Sequence, residues 1–233
     1  MATMHFHHFS NFSELSDALL TKWSTEIDKA ALARLPASFA LAGGSTPAPL
    51  YRLLDQILAG RKNNSDDRDL NPQIKLVATD ERWVSDDDSQ SNEGLFKRCL
   101  PLTYGKQWQL VSLKNVASNP EVAAEAISAR LQRELPRPFN GIVLGMGADG
   151  HIASLFPGAP TRHDDLACIA ALHPQTRQSR MSLSLPRLLD TNNIWLVITG
   201  TEKRQLLETA AGDLPISALL REARCNIEVF WCP

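Results

Sequence analysis

The stretch that decides the fold is a strand, a loop and a helix in succession, SFALAGGSTPAPLYRLLDQILA, at residues 38–59. Its first five residues are apolar almost without interruption, as in a strand that is buried on both faces. After Pro47 the apolar residues recur at spacings of three and four, which predicts an amphipathic helix. A strand that leads directly into a helix is the repeating unit of a parallel sheet covered by helices.

The same unit recurs along the chain. Five more short apolar runs predict strands at residues 74–79, 108–113, 141–145, 194–199 and 227–231. Helices are predicted over 12–35, with Ser13 as the cap, and over 120–135 and 201–211. We therefore predict a Rossmann-like, doubly wound α/β fold: a mainly parallel sheet with helices on both faces, in a single domain over residues 1–233. The polar stretch at 60–72, GRKNNSDDRDLNP, is interpreted as a surface loop of that domain.

Composition excludes several classes of protein. The 24 basic and 26 acidic residues leave a net charge of −2, which disfavours nucleic-acid binding. The longest uncharged stretch, residues 35–51, is too short to span a bilayer and contains three prolines, so no membrane segment is expected. The four cysteines form no CxxC pair, which favours a reduced, cytoplasmic protein.

Ligands of doubly wound sheets bind at the carboxyl ends of the strands, so the loops that follow the strands are searched first. The first loop contains Gly43, Gly44, Ser45 and Thr46. The glycines let the backbone approach a ligand, and free N–H groups with the two hydroxyls would bind an anion such as phosphate. The alternative is a tight turn in which Ser45 or Thr46 only caps the next helix.

The second loop, DERWV at residues 80–84, begins with two carboxylates at a strand end. Such carboxylates need a partner, so Arg82 is expected either to pair with Asp80 or Glu81 or to bind a phosphate. The acidic run at 86–88 is interpreted as a solvated loop.

The third loop, GMGADGHIASLFPG at 145–158, places Asp149 two residues before His151 in a glycine-rich bend. A histidine at a helix start would be favoured in its neutral form, and Asp149 could fix its tautomer or contact a substrate. In the fourth loop Lys203 lies in the first turn of a predicted helix, where a bound anion would offset its charge; a solvent-facing lysine is the alternative. Arg180 is a further candidate anion contact.

The alternation of His5, His7 and His8 with Phe6 and Phe9 indicates an edge strand rather than a metal site.

Taken together, the loops resemble the 6-phosphogluconolactonase family. The matching segments are AGGSTP (42–47), DERWV (80–84), SN (91–92), GMGADGHIASLFPG (145–158), RMSLSLP (180–186) and GTEKRQLL (200–207). GGSTP and the GxxK pattern also occur in a wider superfamily that includes glucosamine-6-phosphate deaminase. The third loop of the deaminases resembles DGHIAFNEP, and the position of their glutamate is Phe156 in this chain.

The resemblance implies hydrolysis of 6-phospho-D-glucono-1,5-lactone to 6-phospho-D-gluconate, the second step of the oxidative pentose phosphate pathway. It implies His151 as general base for water, with Asp149 and Asp80 contacting sugar hydroxyls or orienting His151. Phosphate would be bound by Gly43, Gly44, Ser45, Thr46, Arg82, Arg180 and Lys203.

No cofactor or metal is implied, and the expected partner is the small-molecule substrate, bound to a monomer or weak homo-oligomer. A deaminase or isomerase acting on a sugar phosphate is the first alternative. A non-catalytic sugar-phosphate sensor is the second.

Overall fold

The computed structural model describes residues 3–61, 72–103, 107–163, 166–209 and 212–233. The strands in these ranges are β1 (Met4–His8), β2 (Ala37–Leu41), β3 (Ile74–Ala78), β4 (Asp80–Arg82), β5 (Trp108–Leu110), β6 (Gly141–Leu144), β7 (Cys168–Leu172), β8 (Ser179–Leu183), β9 (Ile194–Thr199) and β10 (Ile227–Cys232). The helices are α1 (Phe12–Leu32), α2 (Ala48–Arg61), α3 (Asn92–Cys99), α4 (Pro120–Glu134), α5 (Leu185–Leu189), α6 (Thr201–Glu208) and α7 (Pro215–Glu222).

Seven strands form one parallel sheet in the order β1-β10-β9-β6-β2-β3-β5. From β2 the chain adds β3 and β5 on one side, and it then returns to β6 and adds β9 and β10 on the other. The direction of winding therefore reverses between β2 and β6, which opens a crevice at their carboxyl ends. The predicted doubly wound, single-domain α/β fold is confirmed, and β1 is an edge strand as predicted.

The predicted elements differ from the observed ones mainly at their ends. Helix α1 begins after Asn11, whose side-chain oxygen accepts the N–H of Glu14 at 3.0 Å, so the prediction of Ser13 as cap is wrong. Strand β5 ends at Leu110, three residues before the predicted end. Helix α2 reaches Arg61, and residues 62–71 of the predicted loop lie outside the described residues, as do residues 210–211 of the predicted last helix.

A second, smaller sheet was not predicted. Strands β4, β8 and β7 form an antiparallel sheet in that order, and Arg82 on β4 lies directly opposite Arg180 on β8. Residues 80–82 were interpreted as a loop, because three residues are too few to show a period of two. This sheet brings two segments that are distant in sequence to the crevice.

The central sheet is fixed to α1 by an aromatic cluster. The buried ring of Trp23 lies 5.3 to 6.3 Å, between centroids, from the rings of Phe39, Tyr51, Trp108 and Trp195. The four partner rings come from α2 and from the strands β2, β5 and β9, so α1 and the sheet share one continuous core. None of the described helices is long and apolar enough to cross a membrane.

Two buried glutamates attach α3 to its surroundings, Glu81 to the second sheet and Glu93 to the segment that follows β5. The carboxylate of Glu81 accepts the backbone N–H groups of Asn92 at 2.9 Å and Glu93 at 2.6 Å, in the first turn of α3. The Glu93 carboxylate in turn accepts the hydroxyl of Ser112 and the N–H of Leu113. Burial raises the pKa of Glu81 although these N–H groups oppose it, and burial together with the charge of Glu81 raises the pKa of Glu93.

The glutamate pair predicts a pH-dependent stability. The pKa of Glu93 is higher in the folded chain than the ordinary value of about 4.3, so the folded state binds more protons between these two values. The free energy of unfolding therefore falls as the pH rises through this window. Glu93→Gln, which keeps both neighbouring hydrogen bonds, is expected to flatten this part of the profile and to be the more stable form above the window.

Urea unfolding at pH values from 4.5 to 8 measures the effect. Glu125→Gln on the exposed side of α4 is the matched control. An identical slope for wild type and Glu93→Gln would contradict the assignment.

Candidate active site

A cleft of about 320 Å³ opens where the carboxyl ends of β2, β6 and β9 meet. This volume is at the lower end of the range for small-molecule sites. Apolar residues of β6 and β9, among them Val143, Leu144 and Val197, form part of its wall. Eight of the ten predicted site residues line it: Gly43, Gly44, Thr46, Asp80, Arg82, His151, Arg180 and Lys203. The two others are Ser45, which is exposed outside the cleft, and Asp149, which lies behind His151.

The imidazole of His151 is held by Asp149. Its Nδ1 lies 2.6 Å from Oδ1 of Asp149, and the same oxygen accepts the His151 backbone N–H at 3.2 Å. A carboxylate on Nδ1 favours the tautomer with its proton there, which leaves Nε2 as the basic nitrogen. No described residue forms a hydrogen bond with Nε2, and the ring lines the cleft.

A glycine makes this geometry possible. A Cβ atom on Gly147 would lie 2.2 Å from two ring atoms of His151, so a side chain there would displace the imidazole. The N–H of Gly147 donates to the carbonyl of His151 at 2.9 Å, which closes the bend. The segment after His151 is a turn in which Ile152 and Leu155 form a bridge, and the prediction of a helix start at His151 is therefore wrong.

The charge of Asp149 matches its role as partner of the imidazole. Burial acts to raise the pKa of Asp149, but hydrogen bonds from the backbone and ring of His151, and the charge of that ring, outweigh it and hold the pKa below the usual range. The carboxyl group is therefore ionised around neutral pH.

Phe156 forms an apolar wall beside the imidazole of His151. Its buried ring lies 5.0 Å from the His151 ring and 5.2 Å from the His173 ring, measured between centroids. The guanidinium of Arg180 lies 5.8 Å from the Phe156 centroid. Burial, together with the charges of Arg180 and His151, lowers the pKa of His173. Position 156 thus presents an apolar ring to His151, and no carboxylate.

Asp80 belongs to a different network from His151. Its Oδ2 accepts the hydroxyl of Ser154 at 2.6 Å and lies 3.5 Å from Nη1 of Arg180. Its backbone carbonyl accepts the side-chain amide of Asn92 at 2.7 Å. The structure shows no hydrogen bond between Asp80 and His151, and Asp80 lines the cleft, where its carboxylate can accept hydrogen bonds.

Arg82 and Arg180 face each other across the second sheet. In both guanidinium groups Nε is buried and has no hydrogen-bond partner in the part of the chain that is described. Two like charges directly opposite in a sheet repel each other, and a bound anion would offset this repulsion. Arg82 forms no ion pair with Asp80 or Glu81, the alternative that the sequence left open. Its Nη1 donates instead to the carbonyl of Gln90 at 2.6 Å.

Lys203 supplies a third cation from the first turn of α6. It follows the glycine cap at position 200 and lines the cleft. Within the described ranges its ammonium group forms no hydrogen bond or ion pair, so it is available to an anionic ligand.

Asn92 is a site residue that the sequence analysis missed. A Cβ atom on Gly43 would lie 1.9 Å from the Asn92 carboxamide oxygen, so this side chain packs directly against the glycine turn. The amide nitrogen of the same group donates to Asp80, and Asn92 thereby joins two loops of the cleft. Two signals were available: the segment SN at 91–92, among the family matches, contains Asn92, and the hydroxyl of Ser91 accepts the N–H of Gly94 as the cap of α3.

The acidic run is not simply solvated. Asp86 lies 2.5 Å from the ammonium of Lys97 and 2.7 Å from that of Lys114, and hydrogen bonds from Lys114 and Lys97 lower its pKa. Asp86 and Asp87 are exposed, as the interpretation of a solvated loop predicts, and the two lysine pairs of Asp86 are contacts that the sequence analysis did not predict. Across the described ranges, no group of three or more His, Cys, Asp or Glu residues is placed to hold a metal ion.

Comparison with known proteins agrees with this geometry. The family model described as glucosamine-6-phosphate isomerases/6-phosphogluconolactonase matches residues 10–231. A 6-phosphogluconolactonase of Rhizobium meliloti (strain 1021) is 32% identical over 245 residues, covering 97% of this chain and 98% of the relative.

Solved structures give the same result. The crystal structure of a 6-phosphogluconolactonase from Shewanella baltica OS155 has a TM-score of 0.86 at 30% identity, covering 99% of this chain and 98% of that one. A monomeric glucosamine-6-phosphate deaminase has a TM-score of 0.76 at 20% identity, covering 97% of both chains, and shares the fold. By its sequence and its fold, the chain belongs to the glucosamine-6-phosphate isomerase/6-phosphogluconolactonase family.

Proposed function

We propose that this protein hydrolyses 6-phospho-D-glucono-1,5-lactone to 6-phospho-D-gluconate. The observation that carries the proposal is that one cleft contains both an imidazole oriented by a carboxylate and three cations, Arg82, Arg180 and Lys203. The names of the full-length relatives support the same reaction.

The chemistry requires one general base. A lactone carbonyl is already electrophilic, so water can attack C1 once Nε2 of His151 takes its proton, an effect of about 10²–10⁴ in rate. The carboxylate of Asp149 stabilises the imidazolium that forms. When the tetrahedral intermediate collapses, the bond between C1 and the ring oxygen breaks. The imidazolium returns its proton to that oxygen, which leaves as the C5 hydroxyl.

The phosphate is bound away from the reacting carbon. The three cations and the turn at Gly43 and Gly44 provide its site, and the N–H groups of both glycines donate to no described residue. Thr46 adds a hydroxyl at the same end of the turn. Binding energy at the phosphate aligns C1 with the water next to His151.

The deaminase alternative lacks a group that its chemistry uses. Position 156, where the deaminase motif has glutamate, holds a phenylalanine in contact with His151. Release of ammonia from glucosamine 6-phosphate at a rate comparable with lactone hydrolysis would favour the alternative.

We also propose that residues 1–233 act as one lactonase domain and that the protein works in the cytoplasm, as a monomer or weak homo-oligomer. The four free cysteines are compatible with a reducing compartment.

His151→Ala is expected to lower kcat by about 10²-fold or more, with little change in KM, because the general base is lost while the phosphate site remains. The measurement uses freshly generated lactone and is corrected for spontaneous hydrolysis. His5→Ala, at an exposed position of β1, is the matched control. An unchanged kcat for His151→Ala would remove this residue from the role of base.

Lys203→Ala is expected to raise KM for the phosphorylated lactone roughly tenfold or more, because a hydrogen bond between charged groups is lost. Hydrolysis of unphosphorylated glucono-1,5-lactone should change much less. Lys29→Ala on the exposed side of α1 is the control. An equal loss on both lactones would contradict a phosphate contact at Lys203.

A further inference from the structure

The two carboxylate oxygens of Asp80 have unequal surroundings. Oδ2 accepts the Ser154 hydroxyl at 2.6 Å and lies next to Arg180. Among the described residues, Oδ1 has only the Asn92 amide as a partner, at 3.5 Å, the outer limit of a hydrogen bond. That amide forms its short bond with the backbone carbonyl of Asp80. Oδ1 is therefore the oxygen with spare capacity to accept hydrogen bonds, on a residue that lines the cleft.

Ser154 determines which oxygen is left over. Nη1 of Arg180 lies 3.3 Å from the Ser154 hydroxyl oxygen and can only donate to it, so the single hydroxyl proton points to Asp80. The backbone N–H of Ser154 donates to the hydroxyl of Ser182 on β8 at 3.2 Å, and Ser154 itself is buried. The order of donation, from Arg180 to Ser154 to Asp80, is thus fixed by the chemistry of the three groups.

The chain path towards Ser154 is also constrained. Ala153 has a φ of 51°, in the left-handed region that residues with a side chain rarely adopt. Such a conformation persists where tertiary contacts enforce it, and these residues cluster at functional sites. The same short segment places His151 in the cleft and Ser154 on Asp80, which couples the position of the base to that of the carboxylate.

We propose that Ser154 is a positioning residue: it holds Oδ2 of Asp80 so that Oδ1 accepts a hydrogen bond from a ring hydroxyl of the sugar, and it thereby contributes to substrate selection. The proposal rests on the proposed function for its substrate class. Without the Ser154 hydroxyl, the carboxylate is free to rotate into a two-point ion pair with Arg180, and both the hydroxyl acceptor and the charge of Arg180 are then lost to the substrate.

The test measures coupling between Ser154 and individual hydroxyl groups of the substrate. Wild type, Ser154→Ala and Ser154→Cys are compared on the phosphorylated lactone and on three analogues that lack the hydroxyl at C2, C3 or C4. Ser128→Ala is the matched control, because Ser128 is also buried but its hydroxyl contacts Cys168, outside the residues lining the cleft. The affinities for 6-phosphogluconate and the corresponding deoxy acids are measured by calorimetry.

We expect Ser154→Ala to lower kcat/KM on the full lactone about tenfold, as for loss of a hydrogen bond to a charged group. On one deoxy lactone the same substitution should cost less than about twofold, because the bond that Ser154 supports cannot form there. An equal cost on all four lactones would mean a merely structural role and would overturn the proposal.

The affinity measurements separate this proposal from the proposed function. If wild type binds 6-phosphogluconate but hydrolyses no lactone, the proposed function fails, and the same pattern of coupling in the affinities decides the role of Ser154. Absence of both hydrolysis and binding overturns both proposals. If Ser154→Ala melts well below Ser128→Ala, the comparison uses Ser154→Cys in its place, because cysteine keeps the shape of the side chain but donates weakly.

Discussion

The parallel pairing of β2 with β6 is the constraint on which the site depends. After β2 the chain continues to one side of the sheet, and after β6 it continues to the other side. No helix connection therefore covers the gap at the carboxyl ends of these two strands. The glycine turn at Gly43 and the bend at Gly147 therefore face each other across the crevice. Each glycine makes room for a functional side chain: the amide of Asn92 packs on the first, and the ring of His151 on the second.

Charge is distributed unevenly across this crevice, and the second sheet is the cause. Cross-strand pairing sets Arg82 opposite Arg180, and α6 adds Lys203. Of these three cations only Arg180 lies within ion-pair distance of a carboxylate in the described part of the chain, while Asp149 is engaged with His151 and Glu81 with the N-terminal turn of α3. The folded chain thus accumulates positive charge that it does not neutralise internally, and an anionic substrate completes the arrangement.

The imidazole of His151 is held by contacts that are almost all local. Asp149 and the carbonyl bond to Gly147 lie within four residues of His151, and Phe156 packs on the ring from five residues downstream. This explains why the segment 145–158 was so informative in the sequence. The side of the cleft around Asp80 is built differently, because Asp80, Asn92, Ser154 and Arg180 come from four separate segments.

The sequence by itself determined the parallel α/β fold, its switch-point loops, and eight of the residues that line the cleft, because apolar periodicity and glycine-rich strand ends are local signals. It also placed Asp149 two residues before His151, but it left open whether the carboxylate orients the ring or contacts the substrate; the structure shows it on Nδ1 of His151. Only the tertiary structure decided that the Glu81 carboxylate accepts N–H groups of the first turn of α3, that β4 pairs with β8, and that Asp80 turns to Ser154 rather than to His151. These contacts join residues 12 to 102 positions apart, and whether a buried polar group finds such a partner is decided by the packing of the whole chain rather than by its neighbours in sequence.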